Sequence, residues 1–259
     1  MYPKFFSYGD FFLPTYGLMV ALAFLTALWL VGRLAKRAGL NQETVLNLGI
    51  YCALAGMLGG KLAMFAFDWQ IYWNDPKQIF SKETLQAMGV YQGGLLLALI
   101  VATFYIRAKH LPPLLTFDVF APGIALGHAI GRIGCFAAGC CWGKECDRPW
   151  AVTFRNPDAH ELTGVPLNVP LHPTQLYESL AEFIIFWILY TRFARPHRDG
   201  AIIGLYLILY SSVRFVVEFF RNHEQALTVG LSLTQWISIA TLLLGIWLMF
   251  NRPRQTAVA

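Results

Sequence analysis

Apolar residues in this chain fall into blocks of roughly 20, separated by short polar segments. Seven such blocks stand out, at 14–34, 44–67, 88–106, 114–138, 174–191, 200–220 and 231–250. About 20 apolar residues rising ~1.5 Å each match the ~30 Å hydrocarbon core of a bilayer. The expected fold is therefore an all-α polytopic membrane protein with seven transmembrane helices. Residues 1–259 read as a single transmembrane domain with two long outer connections, 68–87 and 139–173. The second is rich in Pro, Trp and polar residues and is expected to form a small extracytoplasmic cap. Pro122 and several glycines interrupt the fourth block, so that helix is expected to be kinked or broken. The first block is long enough to remain as a helix, and no cleavable signal peptide is expected.

Basic residues set the expected orientation. Arg33, Lys36, Arg37, Arg107, Lys109, Arg192, Arg195, Arg198, Arg252 and Arg254 lie in short connections on one side. Lys4, Lys77, Lys82, Lys144, Arg148, Arg155 and Arg221 lie in longer, acid-containing segments on the other. The positive-inside rule then puts the N-terminus outside and the C-terminus in the cytoplasm. Composition agrees with a membrane protein: 56% of residues are hydrophobic and 14% charged, which excludes an ordinary soluble domain. The net charge of +5 follows from this topology, and no nucleic-acid partner is expected.

Apart from Arg33 at the end of the first block, three basic residues, Lys61, Arg132 and Arg214, remain inside the apolar blocks. A charge at that depth costs at least ~2.5 kcal/mol on insertion scales, so each needs a partner, water or a ligand. Arg132 is the focus, ringed by Gly131, Gly134, Gly139 and Gly143, which remove bulk and let a backbone or a head group approach. Tyr16 and Gln92 begin spans on the outer side, and His172, Gln175 and Glu178 begin the fifth there. Tyr210, Arg214, Glu218 and Arg221 climb one face of the sixth, with Glu218 one turn from both guanidiniums. That ladder alone is equally an ion-pair network offsetting its own burial. With Arg132 added, cations outnumber anions, a balance suited to phosphate.

Five cysteines include Cys135, Cys140, Cys141 and Cys146 in one short stretch. On an oxidising face they suit a local disulfide, and beside Arg132 one of them suits a reactive thiolate. Zinc is disfavoured because the usual C-x2-C pairs are missing, and no metal or other cofactor is expected. Cys52 reads as a buried core residue.

Several short pieces, in order along nearly the whole chain, resemble the bacterial prolipoprotein diacylglyceryl transferases. They are Tyr16-Gly17-Leu18-Met19, Gly59-Gly60-Lys61, Gln92-Gly93-Gly94-Leu95, Asp118, Gly131-Arg132-Ile133-Gly134, Trp142-Gly143, His172-Pro173 with Gln175-Leu176-Tyr177-Glu178, then Tyr210, Arg214, Glu218, Arg221 and Gln235. The resemblance implies transfer of a diacylglyceryl group from phosphatidylglycerol to the lipobox cysteine thiol of prolipoproteins. Glycerol phosphate leaves, and the enzyme sits in the bacterial inner membrane among membrane lipids with its site facing outward. It also implies a two-arginine lipid site at Arg132 and Arg214, supported by Tyr16, Glu218, Tyr210, Gly143 and Arg221. Arg132, Arg214, Gln92 and Tyr16 are the expected catalytic residues. Glu218, Tyr210, Gly143, Arg221, His172, Gln175 and Lys61 are expected to bind substrate.

This chain departs from the family's usual residues at four places: Gln92 stands for His, Cys135 for Asn, Cys140 for Glu and Lys61 for Arg. Gln92 can hydrogen-bond but cannot act as a base near neutral pH. The base is then His128 or His172, or the acceptor thiol ionises beside a guanidinium without one. Two alternative readings remain: a paralogous phospholipid-dependent transferase with another acceptor, and a membrane thiol-disulfide protein using the cysteine cluster.

Overall fold

The computed structural model describes residues 2–8, 11–81, 84, 89–222 and 229–250. Lys82, Arg252 and Arg254 of the orientation argument, and Met88 at the expected start of the third span, lie outside the described residues. Every expected block is a helix: α1 (Thr15–Arg37), α2 (Gln42–Phe67), α4 (Tyr91–Ala108), α5 (Pro113–Ala138), α7 (Thr174–Phe193), α8 (Ala201–Val217) and α9 (Leu233–Phe250). Among the described residues, six stretches are long and apolar enough to cross a membrane. The remaining helix, α7, has 20 residues but carries Glu178, Glu182 and Arg192, and falls outside that group. Large side chains such as Leu58, Leu96, Trp187 and Leu243 point outward and exposed, as expected where lipid replaces water as solvent.

Two compact units divide the chain, Gly32–Pro113 on one hand and Met1–Val31 with Leu114–Ala259 on the other. The Gly32–Pro113 unit is built on α2 and α4. Asn41 starts α2, its Oδ1 accepting the Thr44 N–H at 2.8 Å. The two helices touch through glycine: a Cβ placed on Gly59 would lie 2.5 Å from the Gly93 carbonyl oxygen, and one on Gly94 2.7 Å from that of Gly56. Such contact leaves no room for a side chain on either face. A short helix α3 (Trp69–Asn74) and a 3-10 turn (Pro76–Phe80) follow α2 in the expected outer connection.

In the other unit α5 is the most enclosed helix, with 44% of its apolar window buried against 17% for α9. It runs unbroken through Pro122, so the break that was one of the two expected outcomes is absent. Pro122 is itself buried, and the Gly123 beside it packs so closely on Val31 of α1 that a Cβ would meet Val31 Cγ2 at 2.6 Å. Neighbouring packing thus supports the turn that the proline weakens. At the other end of α5, buried Asp118 accepts the backbone N–H groups of Gly200 at 2.5 Å and Ile203 at 2.8 Å. Asp118 therefore caps the start of α8.

Two elements were not expected. An N-terminal hairpin pairs β1 (Lys4–Tyr8) with β2 (Phe11–Pro14) directly before α1. The 139–173 segment contains α6 (Pro157–Thr163) and a two-residue pairing of β3 (Val152–Thr153) with β4 (Pro170–Leu171). It folds over its own core of Phe154, Ala159, Val165 and Leu171. The hairpin is tied to it by the Lys4 ammonium on Asp158 Oδ1 at 2.7 Å, a contact that raises the lysine above its ordinary value.

Candidate active site

The site residues of the larger unit converge where the C-terminal ends of α5 and α8 and the N-terminal end of α7 meet the 139–173 segment. Helical spacing does the positioning. His128 and Arg132 stand one turn apart on α5, and Glu178 and Glu182 stand one turn apart on α7. The helices set these pairs opposite one another as two rungs. Arg132 Nη2 lies 2.5 Å from Glu178 Oε1, and His128 Nδ1 lies 3.2 Å from Glu182 Oε1. Ser179 Oγ donates to the Ala129 carbonyl at 2.8 Å and holds the two helices in this register.

Glu178 is shared. Arg221 Nη1 reaches its Oε1 at 3.4 Å, so one carboxylate serves two guanidiniums. The expected ladder on α8 is half present: Arg214 Nη1 pairs with Glu218 Oε2 at 2.7 Å, while Arg221 turns to α7. The cause is backbone geometry. After Val217 the chain tightens into a 3-10 turn (Glu218–Phe220), and Arg221 leaves it extended, so the helical i, i+3 approach to Glu218 is lost. Glu218 is further held by Ser232 Oγ, which donates to Oε1 at 2.8 Å. Both embedded arginines thus have a carboxylate, and the partner of Arg132 is Glu178.

Among the described residues, Arg132, Arg214 and Arg221 share Glu178 and Glu218, while the neighbouring Glu182 takes His128. Arg132 Nε and Arg221 Nε are buried with no acceptor among the described residues. A buried donor left unmade is costly, and a charged one more so. Those two N–H groups are therefore available to an anion.

Tyr210 stacks on Tyr206 at 5.6 Å between ring centres and faces the His128 ring at 5.6 Å. Tyr16 covers Gly134, where an added Cβ would lie 3.6 Å from its Cδ2, and it is within electrostatic range of Arg132 and Cys135. Of the four glycines around Arg132, three are occupied by protein. Gly134 is filled by Met19, Gly139 faces Ala159, and a Cβ on Gly143 would meet His172 Cβ and the Phe220 carbonyl oxygen at 2.6 Å. Only Gly131 faces open space within 4 Å.

Gly143 acts through its backbone, donating its N–H to the His172 carbonyl at 3.0 Å. The His172 ring sits edge-on to Phe220 at 5.2 Å, with Nδ1 3.1 Å from the Tyr177 hydroxyl. Fully buried Gln175 donates Nε2 to the Cys140 carbonyl at 2.7 Å, and Thr174 Oγ1 donates to the Cys141 carbonyl at 2.8 Å. Lys61 and Gln92 belong to the Gly32–Pro113 unit. There Lys61 Nζ donates to the Thr84 carbonyl at 2.5 Å, and Gln92 is exposed in the first turn of α4.

All five cysteines are free thiols. The sulfurs of Cys135, Cys140 and Cys141 lie within 4.8 Å of one another, and Arg132 Nη1 is 3.7 Å from Cys135 Sγ. Hydrogen bonds from the Cys135 and Cys140 thiols hold the Cys141 thiol below the usual range, and the charges of Arg132 and Arg221 act in the same sense. Cys146 is apart, buried in the cap with its N–H on the Pro170 carbonyl at 3.0 Å. Cys52 is half-buried against the Ala98 carbonyl of α4 at 3.7 Å, rather than a core residue.

Sequence reasoning did not find the Arg132–Glu178 and His128–Glu182 partnerships. The signal was present as matched four-residue spacings on two blocks, His128/Arg132 and Glu178/Glu182. What was missing was which two helices face each other.

Buried cations with donors left over, at one end of a set of apolar helices, are chemically suited to an anion. The comparisons with known proteins make the class specific. The family model described as prolipoprotein diacylglyceryl transferase matches residues 3–251. The phosphatidylglycerol–prolipoprotein diacylglyceryl transferase of Clostridium tetani is 34% identical over 242 residues, covering 92% of each chain. That of Pseudoalteromonas atlantica is 35% identical over 269 residues, covering 99% of this chain and 91% of its own. That of Methylobacillus flagellatus is 32% identical over 258 residues, covering 95% of each. This chain belongs to the prolipoprotein diacylglyceryl transferase family.

Proposed function

We propose that the protein transfers a diacylglyceryl group from phosphatidylglycerol to the lipobox cysteine thiol of a prolipoprotein, releasing glycerol phosphate. The observation that carries the lipid half is the pair of donors Arg132 Nε and Arg221 Nε, buried and without an acceptor among the described residues, on arginines that share Glu178. A lipid phosphate entering beside Gly131 takes those donors and shares Arg132 with Glu178. Arg214, oriented by Glu218, supplies the second guanidinium, and Tyr16 and Tyr210 bind the head group. The acceptor thiolate attacks the glyceryl carbon bearing the phosphate ester, so a C–S bond forms as the C–O bond breaks. Charge grows on the departing phosphate, where prepositioned guanidiniums act most strongly. His128, fixed by Glu182 on the same face as Arg132, takes the thiol proton.

In this reading all seven long helices cross the inner membrane, the N-terminus is outside and the C-terminus is cytoplasmic. The cap and the arginines then lie on the outer side, where secreted prolipoproteins emerge. The test is complementation of a strain depleted of its own diacylglyceryl transferase, read by lipoprotein mass. Gain of one diacylglyceryl group is expected from the parent chain and not from Arg132→Ala or Arg214→Ala. Full modification by either variant overturns the assignment.

A further inference from the structure

The thiol triad is the feature that transfer to a peptide cysteine leaves without a role. Cys135 closes the last turn of α5, and Cys140 and Cys141 follow on the turn after Gly139. Cys141 holds a left-handed backbone (φ 61°), and the loop's two carbonyls are pinned by the buried side chains of Gln175 and Thr174. Three sulfurs that the sequence spaces irregularly are thereby brought within 4.8 Å of one another. Sulfurs around a zinc ion stand about 3.8 Å apart, given ~2.3 Å bonds in a tetrahedral set. Small side-chain rotations close the difference.

We propose that Cys135, Cys140 and Cys141 bind one thiophilic divalent cation of the zinc class, leaving its fourth coordination position to an incoming thiol. Charge balance supports the choice of ion. Three thiolates and a divalent cation carry one net negative charge, and the guanidinium of Arg132 stands beside the cluster to offset it. A nearby guanidinium therefore stabilises the loaded site, and Arg132 Nη1 already lies 3.7 Å from Cys135 Sγ. Among the described residues no His, Asp or Glu joins the three sulfurs, so these residues supply three ligands. Three protein ligands with an open place is the arrangement of zinc sites that act on a bound molecule, whereas structural sites are closed by four. Cys140 and Cys141 are only partly buried, which leaves that place reachable.

Loading replaces three S–H bonds by three S–metal bonds and releases three protons, with no change of oxidation state. A thiol taking the fourth position loses its proton in the same way and is held as thiolate. This last step rests on the transfer reading above, and the proton it releases goes to His128 as in that reading. The metal site itself does not depend on that reading.

Purified full-length protein in detergent, reduced and metal-stripped, is titrated with Cd²⁺ and followed by sulfur-to-cadmium absorption. The expected result is one Cd²⁺ per chain, displaced by Zn²⁺. Binding should weaken at least tenfold in each of Cys135→Ser, Cys140→Ser and Cys141→Ser, and stay at the parent level in Cys52→Ser and Cys146→Ser. Should the serine variants fail to fold, maleimide labelling of the parent mapped by mass serves instead, with Cd²⁺ protecting those three cysteines alone. Absence of thiolate absorption, unchanged binding in the triad variants, or labelling indifferent to Cd²⁺ overturns the site. A single-cysteine peptide added to the Cd²⁺-loaded protein should raise the absorption by about a third, from three sulfurs to four. No rise discards the open position. A chain that binds Cd²⁺ but adds no lipid in the complementation assay refutes the transferase reading and not the metal site.

Discussion

The two compact units solve the same packing problem in opposite ways. In Gly32–Pro113, α2 and α4 meet backbone to backbone through Gly56, Gly59, Gly93 and Gly94, and shape alone sets the contact. In the other unit α5 and α7 meet through Arg132–Glu178 and His128–Glu182, side chains that a lipid-exposed face would not tolerate. Close backbone packing is cheap to keep and has little chemistry in it. A buried ionic ladder is costly to keep, and replacing such a network by apolar residues is often neutral or stabilising. The unit that retains the costly solution is the one with spare guanidinium donors.

The contrast breaks most sharply at Arg132. Removing one prepositioned cationic contact is worth ~3 kcal/mol in a transition state, about a hundredfold in rate. Arg132→Ala is therefore expected to lower diacylglyceryl transfer in isolated membranes about a hundredfold at equal protein level. Glu178→Gln sharpens the point: it leaves two guanidiniums without their shared carboxylate, and transfer should fall while Arg214→Ala effects persist.

Gly93→Ala tests the other unit. Its Cβ would come 2.2 Å from Ala63 Cβ and 2.6 Å from the Gly59 carbonyl oxygen. Overpacking of this kind costs about 1–3 kcal/mol, so the melting temperature in detergent should drop. A smaller change follows from Asp118→Ala, which removes the cap on α8 and should cost about 1 kcal/mol in the same measurement.

Smallest is Lys4→Met. Because the Asp158 contact raises the folded lysine above 10.5, its contribution is complete below the ordinary lysine value and fades as pH rises through the raised one. Parent and variant melting curves should differ slightly at pH 7, and the difference should close in strong alkali.

Span positions were legible because they depend on local composition. The expected 114–138 is the helix Pro113–Ala138, and 174–191 is Thr174–Phe193. The hairpin Lys4–Tyr8/Phe11–Pro14 was not legible, since its apolar run of aromatics looks like the approach to a membrane span. Pro122 misled for a tertiary reason: the packing of α1 on Gly123 sustains a helix that the local sequence argues against. At the site, the identity of Arg132 as a buried cation was readable from its apolar surroundings. Its carboxylate was not, because pairing depends on which faces of α5 and α7 meet. The thiols show the same limit, since a spacing of five and one becomes a cluster only after Gly139 turns the chain.

The stitch at Gly143 has a mechanical meaning. Gly143 N–H bonds to the His172 carbonyl, His172 N–H to the Lys144 carbonyl and Lys144 N–H to the Phe220 carbonyl, at 3.0, 2.9 and 2.8 Å. Three distant stretches of chain are thus sewn together at the residue next to Arg221. A pull on residues 143–144 or on His172 is therefore passed along this seam to Phe220, the neighbour of Arg221.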